Sequence, residues 1–368
     1  KDAQTIIIKI GTALIVDKSG DNVRQEWMDS LAQDVHALRE TGKQVVIVSS
    51  GAVALGRTSL NIPLDKPPPS IPLQKKQASS AIGQFHGFKG FFNAFSPLGI
   101  KIAQVLLTMS ETENRRMHLN ARATMNELLD NGVIPIINEN DTISTGEIRF
   151  GDNDRLAARV AQMIEADVVV LLSTTDGLYT ANPDKDTNAV HIPVVEAITD
   201  EHTEMAGEAV PGMSTGGMKS KLEAAQNANT SGIDLIIANG MENHALKALV
   251  NDDAFKSTLF IGDHTTQNAK KRWIGAHMRP KGQVFIDEGA LKALKSGGSL
   301  LPVGVKRLEG NFERGDILEI CTESGHKLGM GISAYSSNDA QQVLGKNSEQ
   351  IADIMGFTGC SDLVHRND

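Results

Sequence analysis

Apolar runs alternate with amphipathic stretches through the first 264 positions, and the junctions between them carry glycine or small polar residues. Thr5-Ile6-Ile7-Ile8-Lys9-Ile10 is short, β-branched and apolar and ends in Gly11-Thr12, which predicts a buried strand entering a tight loop. Residues 26–40 recur at helical spacing and stop near Thr41-Gly42, predicting a helix with a glycine stop. Gln44-Val45-Val46-Ile47-Val48 predicts a second strand, closing on Ser49-Ser50-Gly51-Ala52. Residues 63–72, with three successive prolines at 67–69, fit neither helix nor central strand and are expected as an exposed loop. A helix over 77–95 follows, with Phe85, Phe88, Phe91, Phe92 and Phe95 expected in core and interface. Strands over 101–108 and 133–137 and a helix over 114–131 come next. A helix begins at Arg155, with Leu156, Val160, Met163 and Ile164 along one face, and precedes a buried strand over 168–172. A helix over 222–231 and strands over 233–238 and 257–261 complete the region. This order predicts an α/β fold, a mostly parallel sheet covered by helices. Ligands of such sheets gather at the carboxyl ends of the strands, where Lys9, Gly11, Ser50 and Gly51 fall.

The texture then changes. Residues 265–279 read as a linker, and from about residue 280 to 362 the apolar runs shorten to 283–286, 304–308, 317–320 and 327–333, separated by glycine-bearing turns. Short strands at close spacing predict a small β-barrel-like domain. With 368 residues, 40% hydrophobic and 22% charged, the chain is long enough for two domains with a sizeable core. A net charge of −9 argues against a general nucleic-acid or membrane-surface binder, and no apolar run approaches the ~18 residues of a membrane span. The two cysteines, Cys321 and Cys360, make no disulfide framework or metal cluster, and an apolar strand starts within a few residues of Lys1. A cytoplasmic protein is expected.

The chemistry concentrates at Gly151-Asp152-Asn153-Asp154, with Asn138-Glu139-Asn140-Asp141 a short loop upstream. One helix cap needs one side chain, and this turn has a surplus of carboxylates that is costly unless a cation or charged ligand sits among them. Residues 212–221 form a glycine-rich loop opening a helix, an arrangement whose backbone N–H groups favour phosphate. It is not a Walker A loop, and no Gly-x-Gly-x-x-Gly follows the first strand, which removes support for a nicotinamide enzyme. Phosphoryl transfer needs cations around a spreading negative charge. Lys9 and Lys221 can grip the transferred group from two ends while Asp154 holds both ammonium groups. Asp141, Asp152 and Asn153 then address an acceptor bearing a cationic amino group, with Ser50 and backbone N–H groups near Gly51 taking its carboxylates.

Lys9-Ile10-Gly11-Thr12, Val48-Ser49-Ser50-Gly51-Ala52, Ile137-Asn138-Glu139-Asn140-Asp141, Gly151-Asp152-Asn153-Asp154, Gly177-Leu178-Tyr179-Thr180 and Thr215-Gly216-Gly217-Met218 stand in the order found in the glutamate 5-kinase family, a branch of the amino-acid kinase superfamily. The chain resembles that family along essentially its whole length, and its tail is similar to the PUA domain appended to many bacterial members. The resemblance implies an αβα sandwich and ATP-dependent, Mg²⁺-assisted phosphorylation of the γ-carboxylate of L-glutamate, the first step of proline synthesis. It also implies inhibition by proline and a homo-oligomer. Residue by residue, it implies that Lys9 and Lys221 stabilise the transferring group and Asp154 organises them. Ser50, Gly51, Asp141 and Asn153 would bind glutamate, supported by Asp152 and Asn138. Gly11 and the run Thr215, Gly216, Gly217, Met218, Lys219, Ser220, Lys221 would meet the ATP phosphates, with Ser173 and Thr174 near the nucleoside. The family's Thr-Asp is replaced here by Ser173-Thr174, which removes a carboxylate that Asp176 or a backbone group would have to replace. Lys219 is an added cation whose simpler reading is a surface lysine.

Two alternatives remain. Another acid kinase of the superfamily, for acetylglutamate, carbamate or aspartate, would use the same frame, but the Asn138–Asp141 and Asp152-Asn153 cluster suits a free amino group better. An RNA-binding PUA factor is opposed by the acidic charge, and its one compact basic cluster, Lys270-Lys271-Arg272, lies in the linker.

Overall fold

Strand β1, Thr5–Ile10, sets the architecture through its period of two. Ile6, Ile8 and Ile10 belong to one hydrophobic core and Ile7 to another, so the strand lies between two layers of helices and carries Lys9 on the Ile7 face. The computed structural model describes residues 2–17, 19–20, 22–63, 70–113, 115–144, 153–183, 185–206, 217–264, 280–346, 350–351 and 362–364. The proline run 67–69, Gly151, Asp152, Thr215, Gly216, the linker 265–279 with Lys270-Lys271-Arg272, and Cys360 lie outside them. The chain divides into two compact units, 1–267 and 268–368.

In the first unit β1 pairs in parallel with β2 (Gln44–Val48) on one side. β3 (Ile102–Leu107) and β4 (Ile134–Glu139) extend that side, and β5 (Val168–Ser173) pairs in parallel with β1 on the other. β6 (Leu178–Tyr179) and β7 (His191–Ile192) make a separate antiparallel pair, followed by β8 (Val194–Val195), β9 (Asp234–Asn239) and β10 (Ser257–Phe260). Among the described residues the main sheet has eight strands in the order β3-β4-β2-β1-β5-β9-β10-β8, all neighbours parallel except β9 and β10.

One face is covered by the short α1 (Thr12–Ile15), α2 (Gln25–Glu40), α3 (Ala52–Arg57) and α4 (Leu73–Phe95). The other face carries α5 (Met109–Glu113), α6 (Arg115–Asp130), α7 (Asn153–Ile164), α8 (Asp200–Met205) and α9 (Met218–Asn229), with α6, α7 and α9 supplying its core. Ala245 and Leu246 of a further helix join the α2 face. The first unit is therefore an αβα sandwich.

Several expected boundaries shift. α4 begins at Leu73, four residues before the expected Gln77, and only part of its phenylalanine series is core. Phe91 and Phe95 are fully buried, whereas Phe85 is 66% and Phe92 53% exposed. The buried face of α4 is instead lined by Ser79, Ser80, Gly83, Gly87 and Gly90. The helix expected over 114–131 is present as α6, and a short helix not expected from the sequence, α5, precedes it. α9 starts at Met218 rather than Leu222, so Lys219, Ser220 and Lys221 occupy its first turn and not a loop. α7 starts at Asn153, two residues before Arg155.

In the second unit, strands Gly282–Ile286, Val305–Gly310, Ile317–Thr322 and Lys327–Ile332 form a four-stranded sheet with the first two at one side and the last two at the other. Helices Glu288–Lys295 and Ser337–Val343, neither expected from the sequence, also belong to this unit, and Ala340 and Val343 of the second are in its core.

Candidate active site

α7 and α9 lie side by side on the Ile7 face of the sheet. Ala157, Ala158 and Ala161 of one and Ala224, Ala225 and Ala228 of the other are fully buried, small enough to let the helices come close. Arg155 Nε donates to Glu223 at 2.9 Å near one end and Gln162 Nε2 to the Asn227 carbonyl at 2.5 Å near the other. These pairings run in the same direction, so both helices turn their N-termini, with unpaired N–H groups and the positive dipole end, toward one place.

Asp154, the second residue of α7, stands there with no solvent exposure. Its Oδ1 is 2.6 Å from Lys9 Nζ, and its Oδ2 is 3.1 Å from Lys221 Nζ and accepts the Ser220 hydroxyl at 3.0 Å. Lys9 comes from strand β1 and Lys221 from the first turn of α9, so one carboxylate gathers two ammonium groups that are distant in sequence. Burial acts to raise the Asp154 pKa, but the two ammonium groups outweigh it and hold the carboxyl down at about 2. Burial pushes Lys9 below its ordinary value; Asp154 opposes that and Lys221 adds to it. Two ammonium groups set around one buried carboxylate are an arrangement suited to the charge of a phosphoryl group in transfer.

A second polar group lies at the ends of β2 and β4. Gly51 precedes α3 with φ +93°, and a Cβ there would press on Val16 and Thr12, so this turn needs glycine. Asn153, first residue of α7, uses Nδ2 to reach the Ser49 carbonyl at 2.5 Å, Asn138 Oδ1 at 2.9 Å and the Ser50 hydroxyl at 3.2 Å. Asn138 shares the parity of Ile134 and Ile136 on β4 and so faces the α4 side. Asp141 is 8% exposed and accepts the Ser80 hydroxyl at 2.6 Å. Burial pushes its carboxyl up, and the Ser80 bond partly offsets this. Asp152, expected beside Asn153, lies outside the described residues, as do Thr215 and Gly216 of the glycine-rich loop.

The remaining candidates occupy strand ends and the first turn of α9. Gly11 donates its N–H to the Leu172 carbonyl at 3.2 Å, which ties the β1 loop to β5. Ser173 closes β5, Thr174 is exposed, and Asp176 accepts the Tyr179 hydroxyl at 2.9 Å. Gly217 is the N-cap of α9, Met218 packs partly buried against the α7–α9 core, and Lys219 is exposed. Sequence reasoning missed Ser80 and Gln84 of α4. Gln84 Nε2 donates to the Glu139 carbonyl at 3.0 Å, and its Oε1 accepts Asn138 Nδ2 at 3.1 Å. Nothing in the local sequence marks either residue, because their partners lie 54 to 61 positions away.

Comparison with known proteins extends this picture. The profile described as the Amino acid kinase family matches residues 4–239, and that of the PUA domain matches 282–355. A protein of Brucella ovis named glutamate 5-kinase is 47% identical over all 368 residues, covering 96% of its own length. One of Brucella abortus with the same name is 46% identical over the same span. Among solved structures, UMP kinase from Bacillus anthracis superposes with a TM-score of 0.50 over 72% of this chain and 98% of that one. At 14% identity this last likeness concerns the fold alone.

Proposed function

The chain belongs to the amino acid kinase family and, within it, to the glutamate 5-kinases, and we propose that the Lys9–Asp154–Lys221 group is the centre of its phosphoryl transfer. The activity is the ATP-dependent phosphorylation of the L-glutamate γ-carboxylate to L-glutamyl 5-phosphate, which opens proline biosynthesis. The observation that carries the assignment of residues is the buried carboxylate of Asp154 with ammonium groups at 2.6 and 3.1 Å.

In this reading the γ-carboxylate oxygen of glutamate attacks the γ-phosphorus of ATP as the bond to the bridging oxygen of ADP breaks. Lys9 and Lys221 face the charge that spreads over the transferring group and the leaving oxygen, and Asp154 sets their positions. Asp154 does not act as a base, since a carboxylate acceptor is already ionised at neutral pH. Gly11 and the stretch Thr215 to Lys221 hold the ATP phosphates at the α9 N-terminus, and Ser173, Thr174 and Asp176 lie toward the nucleoside. Asp141 and Asn153, with Asn138 and Asp152, take the amino group of glutamate, and Ser50 and the Gly51 turn take its α-carboxylate. Mg²⁺ bound with ATP would neutralise charge on the phosphates.

The same proposal includes a kinase domain over 1–264, a linker over 265–279 and a PUA-like domain over 280–362. It also includes a homo-oligomer and inhibition by proline, as the product of the route acting on its first enzyme. A coupled ADP-release assay across L-glutamate, N-acetyl-L-glutamate, L-aspartate and carbamate tests the acceptor, with hydroxylamine trapping the acyl phosphate as a hydroxamate. Glutamate is expected to be preferred by at least about 100-fold in kcat/KM, as expected when buried polar partners are left unmatched. Equal use of N-acetyl-L-glutamate would overturn the amino-group pocket.

A further inference from the structure

The polar side chains proposed to meet glutamate are held from behind by a helix that carries none of the expected site residues. α4 lies close against α3, because Gly83 faces the Ala52 carbonyl and Gly56 faces the Ser79 carbonyl with no room for a Cβ at either point. That approach brings Ser80 and Gln84, one turn apart on α4, against the loop that follows β4. The neighbouring Ser79 bonds to the Lys75 carbonyl one turn back, as helix serines often do, at 2.7 Å. Ser80 instead reaches across to Asp141 at 2.6 Å and is itself fully buried.

Gln84 starts a relay with a fixed direction. A side-chain amide is a donor at one end and an acceptor at the other, so the orientation of one dictates that of the next. The Glu139 carbonyl can only accept, which turns Gln84 Nε2 toward it at 3.0 Å and leaves Oε1 for Asn138 Nδ2 at 3.1 Å. Asn138 Oδ1 then accepts the Glu139 N–H at 2.9 Å and Asn153 Nδ2 at 2.9 Å. Asn153 commits Nδ2 to the Ser49 carbonyl and Ser50 hydroxyl as well. Both ends of the relay are anchored on backbone groups that cannot flip. With its N–H groups committed to the protein, what Asn153 offers a ligand is its carbonyl oxygen, which attracts an ammonium where an N–H would repel it.

We infer that Ser80 and Gln84 are positioning residues that set acceptor selectivity, Ser80 by fixing the Asp141 carboxylate and Gln84 by fixing the polarity of the Asn138 and Asn153 amides. The inference rests on the assignment of Asp141 and Asn153 to glutamate made above. Neither side chain acts on the phosphoryl group, so their removal loosens acceptor recognition and leaves the ATP end of the site alone.

The test uses the full chain with Ser80→Ala and Gln84→Met, assayed by ADP release with L-glutamate, N-acetyl-L-glutamate and ATP varied in turn. Each variant is expected to raise the KM for glutamate by about tenfold, the scale of one lost bond to a charged or buried polar group. The KM for ATP and kcat stay within about twofold of the parent, and the preference for glutamate over N-acetyl-L-glutamate falls at least about fivefold. Adding Ser80→Ala to Asp141→Ala should raise the glutamate KM no further, because the acceptor of its hydroxyl is already gone. An unchanged glutamate KM, an additive double variant, or an equal fall in kcat and ATP affinity would overturn the inference. Gln84 is part-exposed, so Gln84→Met decides the question should Ser80→Ala fail to fold. A parent protein with no glutamate-dependent ADP release would sink the acceptor assignment itself, whereas an active parent with two indifferent variants sinks this inference alone.

Discussion

Asp154 has no exposure and two ammonium neighbours, so replacing it differs in kind from replacing either lysine. Asp154→Asn removes the carboxylate that Lys9 and Lys221 share at a fully buried position, and should cost about 3–5 kcal/mol in a denaturant titration. Lys9→Ala or Lys221→Ala leaves the carboxylate one ammonium neighbour and the Ser220 hydroxyl, so the loss of stability should be smaller while kcat falls by about 100-fold or more. Wild-type turnover in either lysine variant would contradict the assigned roles. The acid limb has a definite sign. The folded pKa of Asp154, about 2, lies below its unfolded 3.8, so its stabilisation is complete above pH 3.8 and is lost as pH falls toward 2. That difference amounts to about 2 kcal/mol, read as a fall in unfolding free energy over this interval that Asp154→Asn lacks. At this scale the sequence spoke through cost: a lysine in an apolar strand and a carboxylate surplus at a helix start both demand partners. It was silent on Ser80, because a helix serine is cheap anywhere and its bond to Asp141 exists only once α4 is docked.

Elements were legible where burial is two-sided. β1, β2 and β5 sit in the middle of the sheet, and their apolar runs mark their ends to within a residue. α4 begins four residues before its expected start, and its face toward α3 carries small residues because the close packing leaves no room for larger ones. The claim can be tested on two glycines of the same helix. A Cβ at Gly83 would overlap the Ala52 carbonyl, a backbone atom that cannot turn aside, whereas at Gly87 it would only touch Leu55 Cδ1 at 3.6 Å. Gly83→Ala should therefore lose about 3 kcal/mol of stability or more. Gly87→Ala should be neutral or gain up to about 1 kcal/mol from helix propensity. Because Ser80 and Gln84 ride on the displaced turn, Gly83→Ala should also raise the KM for glutamate; equal behaviour of the two variants in denaturation would refute the close α3–α4 approach.

For the whole molecule the decisive fact is how the hydrophobic cores are composed. Among the described residues, the two clusters on either side of the eight-stranded sheet draw on residues up to Phe260, and the third on residues from Val284 onward. Every described residue of the proposed site, from Lys9 to Lys221, lies in the unit 1–267. Cutting the chain after residue 267 therefore keeps every described member of the two sandwich clusters and every group proposed to touch either substrate. The fragment should unfold cooperatively and keep kcat and both KM values within about threefold of the full chain, inside the tolerance of a site that has lost no contact. A fragment that folds by circular dichroism yet turns over at less than about one hundredth of the full rate would require the second unit to supply part of the catalytic site. A rise in the glutamate KM alone, with kcat kept, would instead mean that the second unit acts on glutamate binding without supplying a catalytic group.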